Sequence, residues 1–194
     1  MIPESRSGKG RLVNKLVPLE EGEAVVSMYG RSPEGKNYLF FATRKGVAKR
    51  LPLSEITRIN RGGKRVLTLD EGDGIAQVRL TSGDDELLFM TARGQALRVS
   101  EGAFRSMGRA ARGVRGIKLG EGDEVLSCEV IDPRRHAPVI REKGLANRTS
   151  IMEFSLRNRG GLGVKATKLG AFDFIEKPFT DHDRGHTVSI DDRV

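Results

Sequence analysis

The chain has no tryptophan, two tyrosines and a single cysteine among its 194 residues, and each scarcity removes a class of protein. One cysteine cannot close an intrachain disulfide, so no covalent staple holds the fold and a reducing compartment is the simplest setting. Cys128 lies in the run EVLSCEV, where the apolar pattern reads as a buried or half-buried strand position rather than a nucleophile. The shortage of tyrosine and tryptophan leaves little on which unpaired bases could stack. No segment approaches the roughly 18 apolar residues that span a bilayer. The opening MIPESRSGKGRLVNK also lacks the apolar stretch of a secretory signal, so a cytoplasmic protein without a membrane partner is expected. Asp181, His182, Asp183 and His186 gather near the C-terminus, but no second cluster completes a metal site. Neither a metal nor a cofactor is expected.

What is abundant is glycine and positive charge. Twenty-four glycines with short runs of Val, Leu, Ile and Phe point to many turns and a thin core, as in all-β repeats. Thirty-four basic against 26 acidic residues leave +8 and a pI near 9.9, which suits a polyanionic partner. The charge is uneven. Residues 169–194 hold three basic and six acidic residues, leaving 31 and 20 over residues 1–168, a net +11.

A repeat organises the rest. LEEGE, LDEGD, LGEGD and LGAFD begin at positions 19, 69, 119 and 169, a spacing of 50 residues each time. Between them recur FFATRKGVAKR (40–50), FMTARGQALR (89–98) and VIREKGLANR (139–148), followed by NRGGKRVLTL (60–69), GRAARGVRGIKL (108–119) and NRGGLGVKATKL (158–169). In the first of these series an apolar run meets a polar turn ending in Gly46, Gly94 or Gly144, which is a hairpin signal. The second leads into a strand such as VRGIKL, with Val114, Ile117 and Leu119 inward and Glu121-Gly122-Asp123 turning the chain. The reading is four antiparallel strands per 50-residue unit, the size of a propeller blade. Residues 1–168 then hold a partial blade at 12–28, blades at 38–80 and 87–131, and a partial blade at 138–169; residues 170–194 are a divergent tail.

Cations collect in the recurring loops. The candidates for phosphate contact are Arg44, Lys45, Lys49, Arg50, Arg61, Lys64, Arg65, Arg93, Arg98, Arg105, Arg109, Arg112, Arg115, Arg157, Arg159 and Lys165. On stacked blades, equivalent loops land at equivalent places and form a positive stripe, with Arg109, Arg112 and Arg115 on the outer rim. The neighbouring glycines would let backbone N–H groups approach a phosphate that arginine forks. Neutralising about six to ten phosphates gives strong, salt-dependent binding without base reading, so the pattern points to a duplex backbone.

The phrases FFATRKGVAKRLPLSEI, LTSGDDELLFMTARGQALR, MGRAARGVRGIKLGEGDEV and NRGGLGVKA, taken in order, resemble the C-terminal domain of gyrase A, and of its topoisomerase IV relative, over about residues 8–169. The resemblance implies a bacterial, nucleoid-associated β-pinwheel, present here as an incomplete arc, whose basic rim binds and bends duplex DNA beside other DNA gyrase or topoisomerase subunits. It implies no catalysis, since the DNA-cleaving domain and its tyrosine do not appear. The stretch SGKGRLVNKLVPLEEGE looks like the junction after that family's first blade. The family's Gln-Arg-Arg-Gly-Gly-Lys-Gly box has only partial counterparts, at Arg61-Gly62-Gly63-Lys64 and Arg159-Gly160-Gly161. The segment VKATKLGAFDFIEKPF (164–179), with Lys177, resembles the end of a receiver domain. The alternative readings are a protein-docking repeat module, a signalling fragment built on that receiver-like tail, and a gene fragment whose open edges leave it unstable.

Overall fold

The structure, a computed structural model, describes residues 12–30, 34–57, 59, 62–132, 134–140 and 146–165. It is all-β, as the repeat implies, with no α-helix among the described residues. Arg61, the tail and its Lys177 lie outside the described residues, as do Asp181, His182, Asp183 and His186.

Each unit is built on a hairpin. In the first, β1 (Tyr38–Thr43) pairs antiparallel with β2 (Val47–Pro52), from Tyr38↔Pro52 to Ala42↔Ala48. The turn closes because Gly46 adopts φ +81°, a left-handed conformation that side chains resist, and donates its N–H to the Thr43 carbonyl at 3.0 Å. The Thr43 hydroxyl accepts from the Val47 N–H at 3.0 Å. Next comes β3 (Ile75–Thr81), which pairs back onto β1 with a bulge between Ala42 and Thr43. The second unit repeats this. β4 (Glu86–Thr91) pairs with β5 (Gln95–Ser100) across a turn in which Gly94 and Thr91 play the same parts. The acidic-glycine turns add a tie. Asp73 accepts the N–H of Lys45 at 3.0 Å, and Asp123 accepts that of Arg93 at 2.9 Å.

The first two sheets are completed by strands from the following unit. β6 (Val114–Arg115) lies antiparallel to β2, so the first sheet runs β3-β1-β2-β6. In the second sheet β7 (Val125–Ile131) flanks β4. β10 (Leu156–Arg157) and β11 (Val164–Lys165), both from the third unit, pair with β5. The third unit's own hairpin, β8 (His136–Ile140) with β9 (Ala146–Ser150), forms a separate two-stranded sheet. Blade boundaries at 38–80, 87–131 and 138–169 therefore cut through the sheets, which the units complete for one another.

Residues 12–28 form no strand, only a single 3₁₀ turn at Val13–Lys15. A strand exists by pairing. β3 and β7 each have the first strand of an upstream hairpin beside them. Within 12–28, Val25, Val26 and Met28 are exposed.

The core also crosses the units. Phe40, Ala42 and Ala48 of the first pack with Leu87, Phe89, Leu97, Val99, Phe104, Ile117, Val125 and Cys128 of the second. Gly116 sits where the exchanged strand meets this core: a Cβ there would lie 2.9 Å from the Ala48 Cβ and 3.1 Å from the Phe89 ring. Gly116→Ala is expected to cost about 1–3 kcal/mol through overpacking. Urea denaturation checks this, and an unchanged midpoint would show that the crossing is slack.

Candidate nucleic-acid interface

The expected cations divide into two groups according to what their side chains meet. Lys49 is fully buried. Its ammonium donates to the carbonyls of Val66 at 2.7 Å and of Arg109 and Ala111 at 2.8 Å each, so it joins the basic loops of two successive units. Burial lowers its pKa from the ordinary lysine value, with the Glu55 charge pulling the other way. It cannot reach a phosphate at the surface, and its expected contact role is corrected to a structural one. Lys49→Met is expected to cost roughly 2–4 kcal/mol, because three carbonyls lose a charged donor at once. Equilibrium unfolding measures this, and a loss below about 0.5 kcal/mol would show that water replaces the ammonium freely.

Arg98 is corrected in the same way, and Arg50 is engaged within the fold. Arg98 is buried, pairs with Glu86 at 2.7 Å and donates to the Phe154 carbonyl of the next unit at 3.1 Å. Arg50 is half-buried, donates to the Gly83 carbonyl at 2.8 Å and lies 4.9 Å from the centre of the Tyr38 ring. Arginine recurs at 50, 98 and 148, but only the first two are drawn into the fold, and Arg148 is exposed. The copies themselves carry a signal for Lys49: the corresponding residues are Leu97 and Asn147, and Leu97 is core. Lys64 is partly covered and bonds the Thr57 carbonyl.

The second group faces solvent. Arg44, Lys45, Arg65, Arg93, Arg105, Arg109, Arg115, Arg157, Arg159 and Lys165 are exposed and form no ion pair among the described residues. Arg112 is exposed but paired with Asp70 at 2.8 Å, a surface bridge worth little and easily exchanged for a phosphate. Strand exchange brings cations of adjacent units together. β6 places Arg115 opposite Val47, beside the turn that carries Lys45, and β11 places Lys165 opposite Gln95, beside the turn that carries Arg93.

Three of the glycines near these arginines serve packing, while Gly62, Gly63 and Gly108 have open space where a Cβ would stand. Gly116 donates its N–H to the Gly46 carbonyl at 2.8 Å, Gly160 to that of Gly116 at 2.6 Å, and Gly161 to that of Asn158 at 3.3 Å. Those three N–H groups are already used, so they cannot also cradle a phosphate.

Ionic and polar links also run between units at recurring positions. Tyr29, Arg79 and Glu129 share one position in successive copies. The Tyr29 hydroxyl donates to the Val78 carbonyl, and the Arg79 Nε lies 2.6 Å from Glu129 Oε2. Lys36 pairs with Asp85 at 2.6 Å. Burial raises the Cys128 thiol well above its ordinary pKa, so the reactive thiolate is suppressed. Among the described residues no group of His, Cys, Asp and Glu could hold a metal, and no helix is long and apolar enough to cross a membrane.

Sheets of four and five strands, each completed by the next unit, with cations gathered at each junction, define a strand-exchanged repeat module of the β-propeller type. The family model of the DNA gyrase C-terminal domain, beta-propeller, matches residues 37–82, 85–132 and 142–177, one segment per unit. The gyrase A protein of Aminobacterium colombiense is 56% identical over 164 residues, covering 84% of this chain and 20% of that protein. Its Staphylococcus aureus (strain NCTC 8325 / PS 47) counterpart is 39% identical over 173 residues, covering 87% and 20%. Among solved structures, the C-terminal domain of DNA topoisomerase IV superposes with a TM-score of 0.72 at 26% identity, over 80% of this chain and 49% of that one. A DNA gyrase A C-terminal domain gives 0.71 at 21% identity, over 80% and 52%, a likeness of fold. The chain belongs to the DNA gyrase C-terminal domain family, and it spans about a fifth of the length of the curated relatives it matches.

Proposed function

We propose that the chain is a non-catalytic module that binds and bends duplex DNA, as part of a type IIA topoisomerase of the gyrase A kind in a bacterial cytoplasm. The observation that carries this reading is the set of exposed, unpaired cations supplied by equivalent loops of successive units, among them Arg65, Arg115 and Lys165. They can hold phosphates at intervals set by the repeat, and such contacts position a duplex without reading its bases. The aromatic residues that could stack on bases are largely committed elsewhere, with Phe40, Phe41, Phe89, Phe104 and Phe154 buried. Smoothly bending a site of 20–30 base pairs costs of order 1–6 kcal/mol, which several charge-assisted phosphate contacts can offset. Other topoisomerase subunits are the protein partners this reading implies.

Fluorescence anisotropy with a labelled duplex of arbitrary sequence tests the binding, and a topology assay on relaxed plasmid tests the bending. Saturable binding at low salt is expected, with little change when the sequence is scrambled. Failure to bind at low salt would overturn the reading.

A further inference from the structure

We propose that each junction between units carries one composite phosphate site, built from the hairpin turn of one unit and the exchanged strand of the next. The proposal rests on the duplex-binding reading above and says how the rim is divided into sites. At the first junction an open cavity of about 290 Å³ is lined by Lys45, Arg115, Ile117, Lys118 and Leu119. Three side chains are cationic, two are apolar, and none is a carboxylate. Lys45 comes from the β1–β2 turn of the first unit, while Arg115 and Lys118 come from the second.

The backbone holds the two sources together. Gly116 and Ile117 both donate to the Gly46 carbonyl, at 2.8 and 3.3 Å, and Arg115 pairs in register with Val47. A Cβ on Gly46 would lie 2.8 Å from the Ile117 carbonyl oxygen, so only a residue without a side chain lets the turn and the strand come this close. Nearby acids are directed elsewhere. The Asp73 carboxylate takes the backbone N–H of Lys45, and Glu71 offers the Lys45 ammonium only its carbonyl, at 2.7 Å. Arg115 and Lys118 are exposed and form no ion pair among the described residues. Three like charges at one cavity repel, and an oxyanion relieves that repulsion.

The arrangement recurs at the second junction. Lys165 pairs in register with Gln95 on β5, next to the turn carrying Arg93, as Arg115 does with Val47 beside Lys45. The ligand is a phosphodiester oxyanion of the duplex backbone, one per junction. Because both units supply cations, the bound phosphate also ties the exchanged strand to the turn it crosses.

The test compares wild-type full chain with the variant K45Q/R115Q/K118Q, using duplex anisotropy across a salt series. All three side chains are exposed, so the variant should melt as wild type does, and the melt is recorded alongside. If the three cations share one phosphate, the slope of log K against log salt becomes shallower by about 0.9, and affinity at low salt falls about tenfold or more. The single variants K45Q and R115Q should each lose most of what the triple variant loses. A slope change nearer three phosphates would overturn the shared site, and so would additive single losses. Wild-type binding with an unchanged variant overturns the composite site alone, whereas a wild type that binds no duplex overturns the reading beneath it as well. Competition by inorganic pyrophosphate against the wild type but not the variant would assign the cavity to free phosphates, not to the duplex.

Discussion

Raising monovalent salt from about 50 to about 200 mM is expected to weaken duplex binding by roughly three orders of magnitude, near the low end of the range for six to ten neutralised phosphates. The low end follows from the structure. Lys49, Arg50 and Arg98 are occupied inside the fold, and Arg112 must exchange Asp70 for a phosphate, which returns little net energy. That leaves Arg44, Lys45, Arg65, Arg93, Arg105, Arg109, Arg115, Arg157, Arg159 and Lys165, of which Lys45 and Arg115 are assigned to one phosphate and Arg93 and Lys165 to another. Anisotropy at several salt concentrations gives the slope directly. Binding that is flat in salt would mean that apolar or hydrogen-bonded contacts dominate, contrary to the surface just described. Single-stranded DNA should bind more weakly, because buried phenylalanines offer no stacking surface and an unpaired strand has a lower charge density.

The repeat is legible in the sequence because its punctuation is local. Gly46 and Gly94 sit at the same turn position with positive φ, and each threonine three residues earlier accepts the N–H that follows the glycine. Apolar residues before and after those turns form the strands expected of them. Strand exchange is not legible. β6 and β11 are two residues each, and their partners lie tens of residues away, so no local period reports the pairing.

The basic loops are legible as cationic, but a cation in sequence does not declare whether it faces water. Arg98 clamps Phe154 of the next unit, and its recurrence in the sequence alone cannot separate that service from contact with a ligand. Lys49 misleads for a related reason. It stands between Ala48 and Arg50 like any surface residue, while three carbonyls from two loops converge on it in the fold. Gly116 reads in sequence as an opening for phosphate, whereas it is the crossing point of a strand over Ala48 and Phe89.

Phe40→Ala is expected to destabilise both units together, by about 3–5 kcal/mol, the range for truncating a fully buried phenylalanine. Phe40 belongs to the first unit, yet its ring lies 5.0 Å from Phe104 and 6.3 Å from Phe89, both of the second, in edge-on arrangements. Truncation leaves a cavity lined by two rings that cannot collapse readily, because Phe89 is pinned against Gly116 and Phe104 follows a 3₁₀ turn held by Glu101. Glu101 is itself buried, accepting from the Thr81 hydroxyl at 2.6 Å and the Gly83 N–H at 3.0 Å. A domain with about 5–15 kcal/mol in hand would lose a large share of its stability. Urea denaturation followed by far-ultraviolet circular dichroism, in parallel with hydrogen exchange at Phe41 and Leu88, distinguishes the alternatives. One shared transition, displaced to lower urea at both sites, is the outcome a common core requires. Loss of protection at Phe41 with Leu88 unchanged would instead mean that each unit holds its own core, and the exchanged strand would then be a tether between independent blades.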